Sequence, residues 1–150
     1  MRGLAVCLDG VQDDELVAIG VQWAARFEWV EVWCAYGDEA ARELQELRER
    51  HGRPPGPAPP HRRHEEVDRE QAEAIVARGA ELMRQAQIDA RTRVLGGRDA
   101  GHALASASGP DVALFLAAGH RGGVGPHSIG HVARFVIDHA RGPVIVARLD

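Results

Sequence analysis

The stretch GHRGGVGPHSIGHVARFVIDHARGPVIVAR, Gly119 to Arg148, decides the fold class. An apolar run, Val112 to Ala117, stands before it and is short enough to be a buried strand. Glycines at 119, 122, 123, 125 and 130 then let the backbone turn sharply and lie close to a ligand. After them Ile129, Val132, Ala133, Val136, Ile137 and Ala140 recur at helical spacing and form one apolar face. Gly142-Pro143 stops that helix, and Val144-Ile145-Val146-Ala147 follows as a strand. A strand, a glycine loop and a helix N-terminus in that order make an anion site. The free N–H groups of the first helical turn and the positive end of the helix dipole both point at the loop.

Working outward, the N-terminal segment repeats the pattern. Gly3 to Leu8 reads as a buried strand ending at Asp9-Gly10. Asp13, Asp14 and Glu15 sit where a helix cap and acidic first turn belong, with Leu16, Ile19, Gly20, Trp23 and Phe27 following at helical spacing. Val30 to Tyr36 is a second strand, apolar on both faces and therefore internal. Glu39 to Arg50 suggests a charged helix with Ala40, Leu44 and Leu47 facing inward. Residues 52–64 hold five prolines between Pro54 and Pro60 and read as an exposed, flexible loop. Its P-x-x-P pattern is common in proline-rich linkers and weak as a recognition motif. Glu65 to Ile88 gives a long helix with Ala72, Ile75, Val76, Gly79, Leu82, Met83 and Ala86 on one face. Ala90 to Leu95 is a strand whose alternating arginines suit a solvent-facing edge, and a short helix runs to Ala107. Strand and helix alternate, which predicts an α/β domain spanning 1–150: a five-stranded parallel open sheet with helices on both faces.

Composition removes several functions. The chain has no lysine, hence no Schiff-base lysine and no G-x-x-x-x-G-K-[ST] phosphate loop. A net charge of −4 argues against a nucleic-acid-binding face. No run reaches a transmembrane length, so no membrane role is expected and a cytoplasmic location is the default. Cys7 and Cys34 lie in apolar strands and read as small buried residues in a reducing compartment. His127 and His131 are four apart, as in a helical metal pair, but the sequence between them lacks the glutamate of H-E-x-x-H, and no metal is expected. His120, His127 and Arg121 are polar groups near an anion or simply solvent-exposed. No Ser-His-Asp or Cys-His arrangement is evident, so no catalytic residue is assigned.

These residues together resemble the universal stress protein family. Its signature is Gly, two residues, Gly, nine residues, then Gly followed by Ser or Thr. Gly119, Gly122 and Gly130 fit the glycines, and Pro143 to Val146 fits the last strand of the family, Pro-Val-x-Val. Asp9-Gly10 is similar to the family's opening Val-Asp-Gly-Ser, with Val11 in place of serine. The resemblance implies strand order 3-2-1-4-5 and ATP, with or without magnesium, at the reversal between strands 1 and 4. It implies Asp9 on the nucleoside, with Gly119, Gly122, Gly130 and the backbone of His131 and Val132 on the phosphates. It places adenine near the end of the second strand, Ala35 or Tyr36. It implies a homodimer through the last strand, Val144, Ile145 and Val146, and a regulatory stress-response module with slow hydrolysis at most. Two departures matter. Seven residues separate Gly122 from Gly130, and His131 stands where the hydroxyl residue belongs. Both favour the alternative: a nucleotide-free member acting through unidentified protein partners.

Overall fold

The computed structural model describes residues 2–37, 47, 50, 67–118 and 129–149. Along the chain lie β1 (Gly3–Leu8), α1 (Asp13–Ala24), β2 (Trp29–Gly37), α2 (Arg69–Gln85), β3 (Ala90–Gly97), α3 (Ala100–Ala107), β4 (Val112–Ala117), α4 (His131–His139) and β5 (Val144–Ala147). The strands form one parallel sheet, as the alternation of strand and helix predicts, in the order β3-β2-β1-β4-β5 that the family resemblance implies.

All six residues of β1 are buried, because helices cover both faces of the sheet. Leu4, Val6 and Leu8 pack with Leu16 and Val17 of α1 and with Ala72, Val76 and Met83 of α2. Ala5 and Cys7 point the other way, into a core with Leu104 of α3 and Ala133 and Val136 of α4. Each fully buried aliphatic side chain contributes about 1.5–3 kcal/mol. Both cysteines are free and buried, one in each core.

Several boundaries differ from the periodicity. α2 starts at Arg69 because Asp68 closes a capping box: its carboxylate accepts the Gln71 N–H at 2.7 Å, and the Gln71 side chain accepts the Asp68 N–H at 3.0 Å. It ends at Gln85 in a Schellman turn. Gln87 takes φ +64°, its N–H bonds the Arg84 carbonyl, and the Ile88 N–H bonds the Met83 carbonyl. Glutamine gives no sequence warning of this stop, and Ala86 is left exposed beyond the helix. β3 is an edge strand as expected, with Arg91, Thr92 and Arg93 exposed; the Arg93 guanidinium also lies 4.9 Å from the centre of the buried Trp33 ring. The proline-rich loop and the expected helix at 39–50 lie outside the described residues except for Leu47 and Arg50. Both of these are helical, and Leu47 is 49% exposed rather than inward-facing.

The link from α4 to β5 is pinned to the link from α3 to β4. The buried Ser108 hydroxyl donates to the Ala105 carbonyl and accepts the Arg141 N–H, while the Arg141 guanidinium donates to the Ser106 carbonyl. Gly142 passes so close that a Cβ there would stand 2.0 Å from the Gly109 carbonyl oxygen. That obstacle is backbone and cannot rotate away. Gly142→Ala is expected to lower stability by about 3 kcal/mol, read as a fall in the urea midpoint with an unchanged slope.

Candidate functional site

Strand order reverses between β1 and β4: the chain leaves β1 towards α1 on one face and leaves β4 towards α4 on the other. The carboxyl ends of these adjacent parallel strands therefore diverge and leave a crevice. Its two lips are built differently.

The β1 lip is the turn Asp9-Gly10-Val11-Gln12. Gly10 has φ +88°, and Gln12, the residue that caps α1, has φ 55°. The expected acidic cap is therefore not the cap. Asp13 stands one residue inside the helix and turns back, accepting the Asp9 N–H at 3.1 Å and the Gly10 N–H at 2.8 Å. Asp9 in turn accepts the Val11 N–H at 2.8 Å. Three successive backbone donors thus end on the chain's own carboxylates. Burial pushes the Asp13 carboxyl up to about 6, against the lowering effect of the two N–H bonds. Burial, with the charges of Asp13 and Asp9, raises the Cys34 thiol at the end of β2 to about 12.

The β4 lip is the start of α4. Gly130 caps the helix at φ 82°, ψ 166°, a backbone conformation open essentially to glycine alone. No side chain caps this end among the described residues. His131 and Val132 follow, both exposed. α3 and α2, by contrast, carry aspartate caps, Asp99 and Asp68. α4 is held in place by Phe135, whose ring packs over Gly101 and stacks between His102 at 4.2 Å and His139 at 4.0 Å.

The chain has the universal stress protein fold. Solved structures that share it include a universal stress protein from Archaeoglobus fulgidus, at 15% identity and TM-score 0.63, covering 97% of this chain and 98% of that one. Another is a universal stress protein in complex with cAMP, at 16% identity and TM-score 0.59, covering 97% and 96%. No family model and no curated protein matches the sequence.

In this fold Asp9, Gly130, His131 and Val132 all stand at the carboxyl end of the sheet, on the two lips of one crevice. Gly119 and Gly122 lie outside the described residues, as do His120, Arg121 and His127. Ala35 and Tyr36 lie near the carboxyl end of β2, and the Tyr36 ring packs against Gly96. Sequence reasoning missed the role of Asp13. The available signal was its position: a carboxylate three and four residues after an Asp-Gly turn can reach back to that turn's amides. A concavity of about 400 Å³ lies between α1 and α2, lined by Gly10, Gln12 and Asp13 of the β1 turn and by Asp14 and Arg78, which pair at 2.9 Å. Among the described residues no cluster could hold a metal ion, and no helix is long and apolar enough to cross a membrane.

Giving residue 130 a side chain forces a conformation that L-residues avoid. Gly130→Ala is expected to cost about 2 kcal/mol, measured by urea unfolding. A neutral result would show that the cap does not need glycine.

Proposed function

We propose that the protein binds adenine nucleotide, ATP in the first instance, in the β1–β4 crevice and acts as a dimeric regulatory module of the cytoplasm. The observation that carries this reading is the pairing of unlike lips at the strand-order reversal. The β4 lip offers a helix start at Gly130 with no side-chain cap among the described residues, where the amides of His131 and Val132 and the helix dipole favour an anion. The β1 lip offers carboxylate, with Asp9 and Asp13 both bound to amides of the one turn. A polyanion is repelled there, whereas ribose hydroxyls and the adenine amino group can donate to it. The ligand would thus lie with its nucleoside at Asp9 and its phosphates at α4. Gly119 and Gly122 would complete the phosphate cradle, and the His131 ring N–H would replace the hydroxyl the family carries. The cAMP-bound relative of the same fold supports a nucleotide as the ligand class. No general base is assigned, so hydrolysis would be slow at most.

A nucleotide-free interaction module is the second reading. It is favoured by the β1 turn, whose three backbone donors are already taken, and by a glycine stretch about 7 Å shorter in reach than the family's. Titration calorimetry with magnesium-ATP separates the two. Micromolar binding by the wild type, lost in Gly130→Val and weakened in Asp9→Ala, is expected. No heat at millimolar ATP would leave the interaction module. Because Asp9 also holds the Val11 N–H, Asp9→Ala should loosen the turn as well as remove a nucleoside contact.

The dimer would form at β5. The opposite edge, β3, is protected by exposed Arg91 and Arg93, but β5 carries only Val144, Ile145, Val146 and Ala147, all half-buried in the single chain. Phe135 marks the flank of α4 that meets α3. By helical geometry Ile137 lies towards the other flank, and it is 44% exposed. A second copy would cover both the strand edge and this flank. Light scattering should find a dimer at micromolar concentration in the wild type and monomer or aggregate in Ile145→Arg; a monomeric wild type would refute the interface.

A further inference from the structure

We infer that Asp13 is the positioning residue of the nucleoside lip: its carboxylate, by holding the Asp9 and Gly10 amides, fixes where Asp9 meets the ligand. The inference rests on the nucleotide reading of the crevice.

The turn it holds is one the chain would not adopt unaided. Two of its four residues have positive φ, and one of them is glutamine rather than glycine. Each non-glycine residue in that region is unfavourable by itself and persists only when its surroundings hold it there. Successive amides in such a turn converge on a concave face that ordinarily collects an anion. Here the anion is internal. Asp13 Oδ1 takes the Asp9 N–H and Oδ2 takes the Gly10 N–H, so both carboxylate oxygens are used. The same two bonds settle where residue 9 leaves the strand. The Asp9 carboxylate in turn bonds the Val11 N–H, and the three residues are held as one unit. A ligand phosphate is thereby kept out of the β1 lip, which leaves the α4 terminus as the anion-binding side of the crevice.

The clamp needs an ionised carboxylate, because a carboxylic acid presents one acceptor oxygen and one O–H, and the O–H cannot accept an amide proton in the same way. Burial brings Asp13 to about 6, within reach of mild acid. The groups facing it are Asp9 and Asp14 on its own segment, Cys34 on β2 and Arg78 on α2. The guanidinium of Arg78 is hydrogen-bonded to Asp14, and its charge also acts on Asp13 and opposes the repulsion between the carboxylates. The sign follows. A folded-state value above the ordinary 3.8 means the folded chain takes up a proton as pH falls through about 6. The stability associated with this group is complete below the ordinary value and is lost as pH rises through about 6. The clamp runs the other way: it is intact at neutral pH and opens in acid, so nucleoside binding should weaken while global stability does not.

That opposition supplies the test. In amide NMR spectra of the ligand-free wild type, the Asp9 and Gly10 N–H resonances should move together with one midpoint at about pH 6, and in Asp13→Asn neither should move there. In calorimetry at neutral pH, Asp13→Asn should bind ATP about tenfold more weakly than the wild type, and the ratio should shrink towards one in mild acid. Comparing the two proteins at each pH cancels the titration of ATP itself. Asp14→Asn, which removes a neighbouring charge that touches neither amide, should retain wild-type affinity. If wild type and Asp13→Asn bind ATP equally at neutral pH, or if the two amides do not titrate, the inference is overturned while the nucleotide reading stands. If the wild type binds no nucleotide, that reading falls. The amide titration, which needs no ligand and no variant that must fold, then decides alone whether Asp13 holds the turn.

Discussion

The rest of the structure depends on β1 being apolar on both faces. A strand buried on both sides cannot sit at the surface of a two-layer fold, so helices must cross over it on either face. Once α1 and α2 cover one side and α3 and α4 the other, the chain has to reverse direction across the sheet between β1 and β4. The crevice follows from that reversal and needs no functional residue to create it. Function enters only through what the two lips present. One lip is a turn that consumes its own donors; the other is a helix start that no side chain caps among the described residues.

Those lips also differ in how the sequence encodes them. The α4 side was legible at the level of residue type: a glycine before an amphipathic helix, after a buried strand, is a readable anion site. The structure places Gly130 at the cap with positive φ, which gives that glycine a physical reason. The glycines upstream lie outside the described residues, so of the cradle expected from the sequence only the helical end at Gly130 is described. The β1 side was legible as an Asp-Gly turn and an acidic first turn, but not as a clamp. Cap preferences point to the residue before the helix, and they directed attention to the acidic run as a cap. Gln12, a residue with no such preference, took the position instead, and Asp13 turns back to the Asp9 and Gly10 amides. Tertiary and local strain together overrode a statistical rule.

The same distinction explains the helix ends. Periodicity locates a helix by its buried face, and the face of α2 was read correctly at Ala72, Val76, Gly79 and Met83. Where the helix stops is set by a few hydrogen bonds at its termini. The Asp68–Gln71 capping box has a sequence signature, whereas a Schellman turn on Gln87 has none. The strands fared better because the sheet constrains them by register. β4 and β5 span the residues that their apolar runs mark out, and each is bounded by glycine or proline close by.

The arrangement of charge gives the crevice a direction. In a chain without lysine only arginine can bring a full side-chain cation to a bound phosphate at neutral pH, and the arginines among the described residues are largely engaged elsewhere: Arg2 with Glu28, Arg78 with Asp14, Arg84 with Glu81, Arg93 over Trp33, Arg134 near Asp138. Anion binding at α4 would then rest on backbone amides, which carry partial charge, cannot be titrated and are fixed in direction by the helix. Amides of that kind work only if the backbone can approach, and so a glycine at 130 matters more than any charged side chain nearby. At the other lip the logic inverts. Carboxylates there are mobile in charge, because burial brings one of them close to the range in which cells acidify. A permanent donor set thus faces a titratable acceptor set across one cleft. A ligand that spanned both, as proposed, would be held by a pH-independent contact at its anionic end and a pH-dependent one at its neutral end. Acid would therefore loosen recognition of the nucleoside before it affected retention of the phosphate.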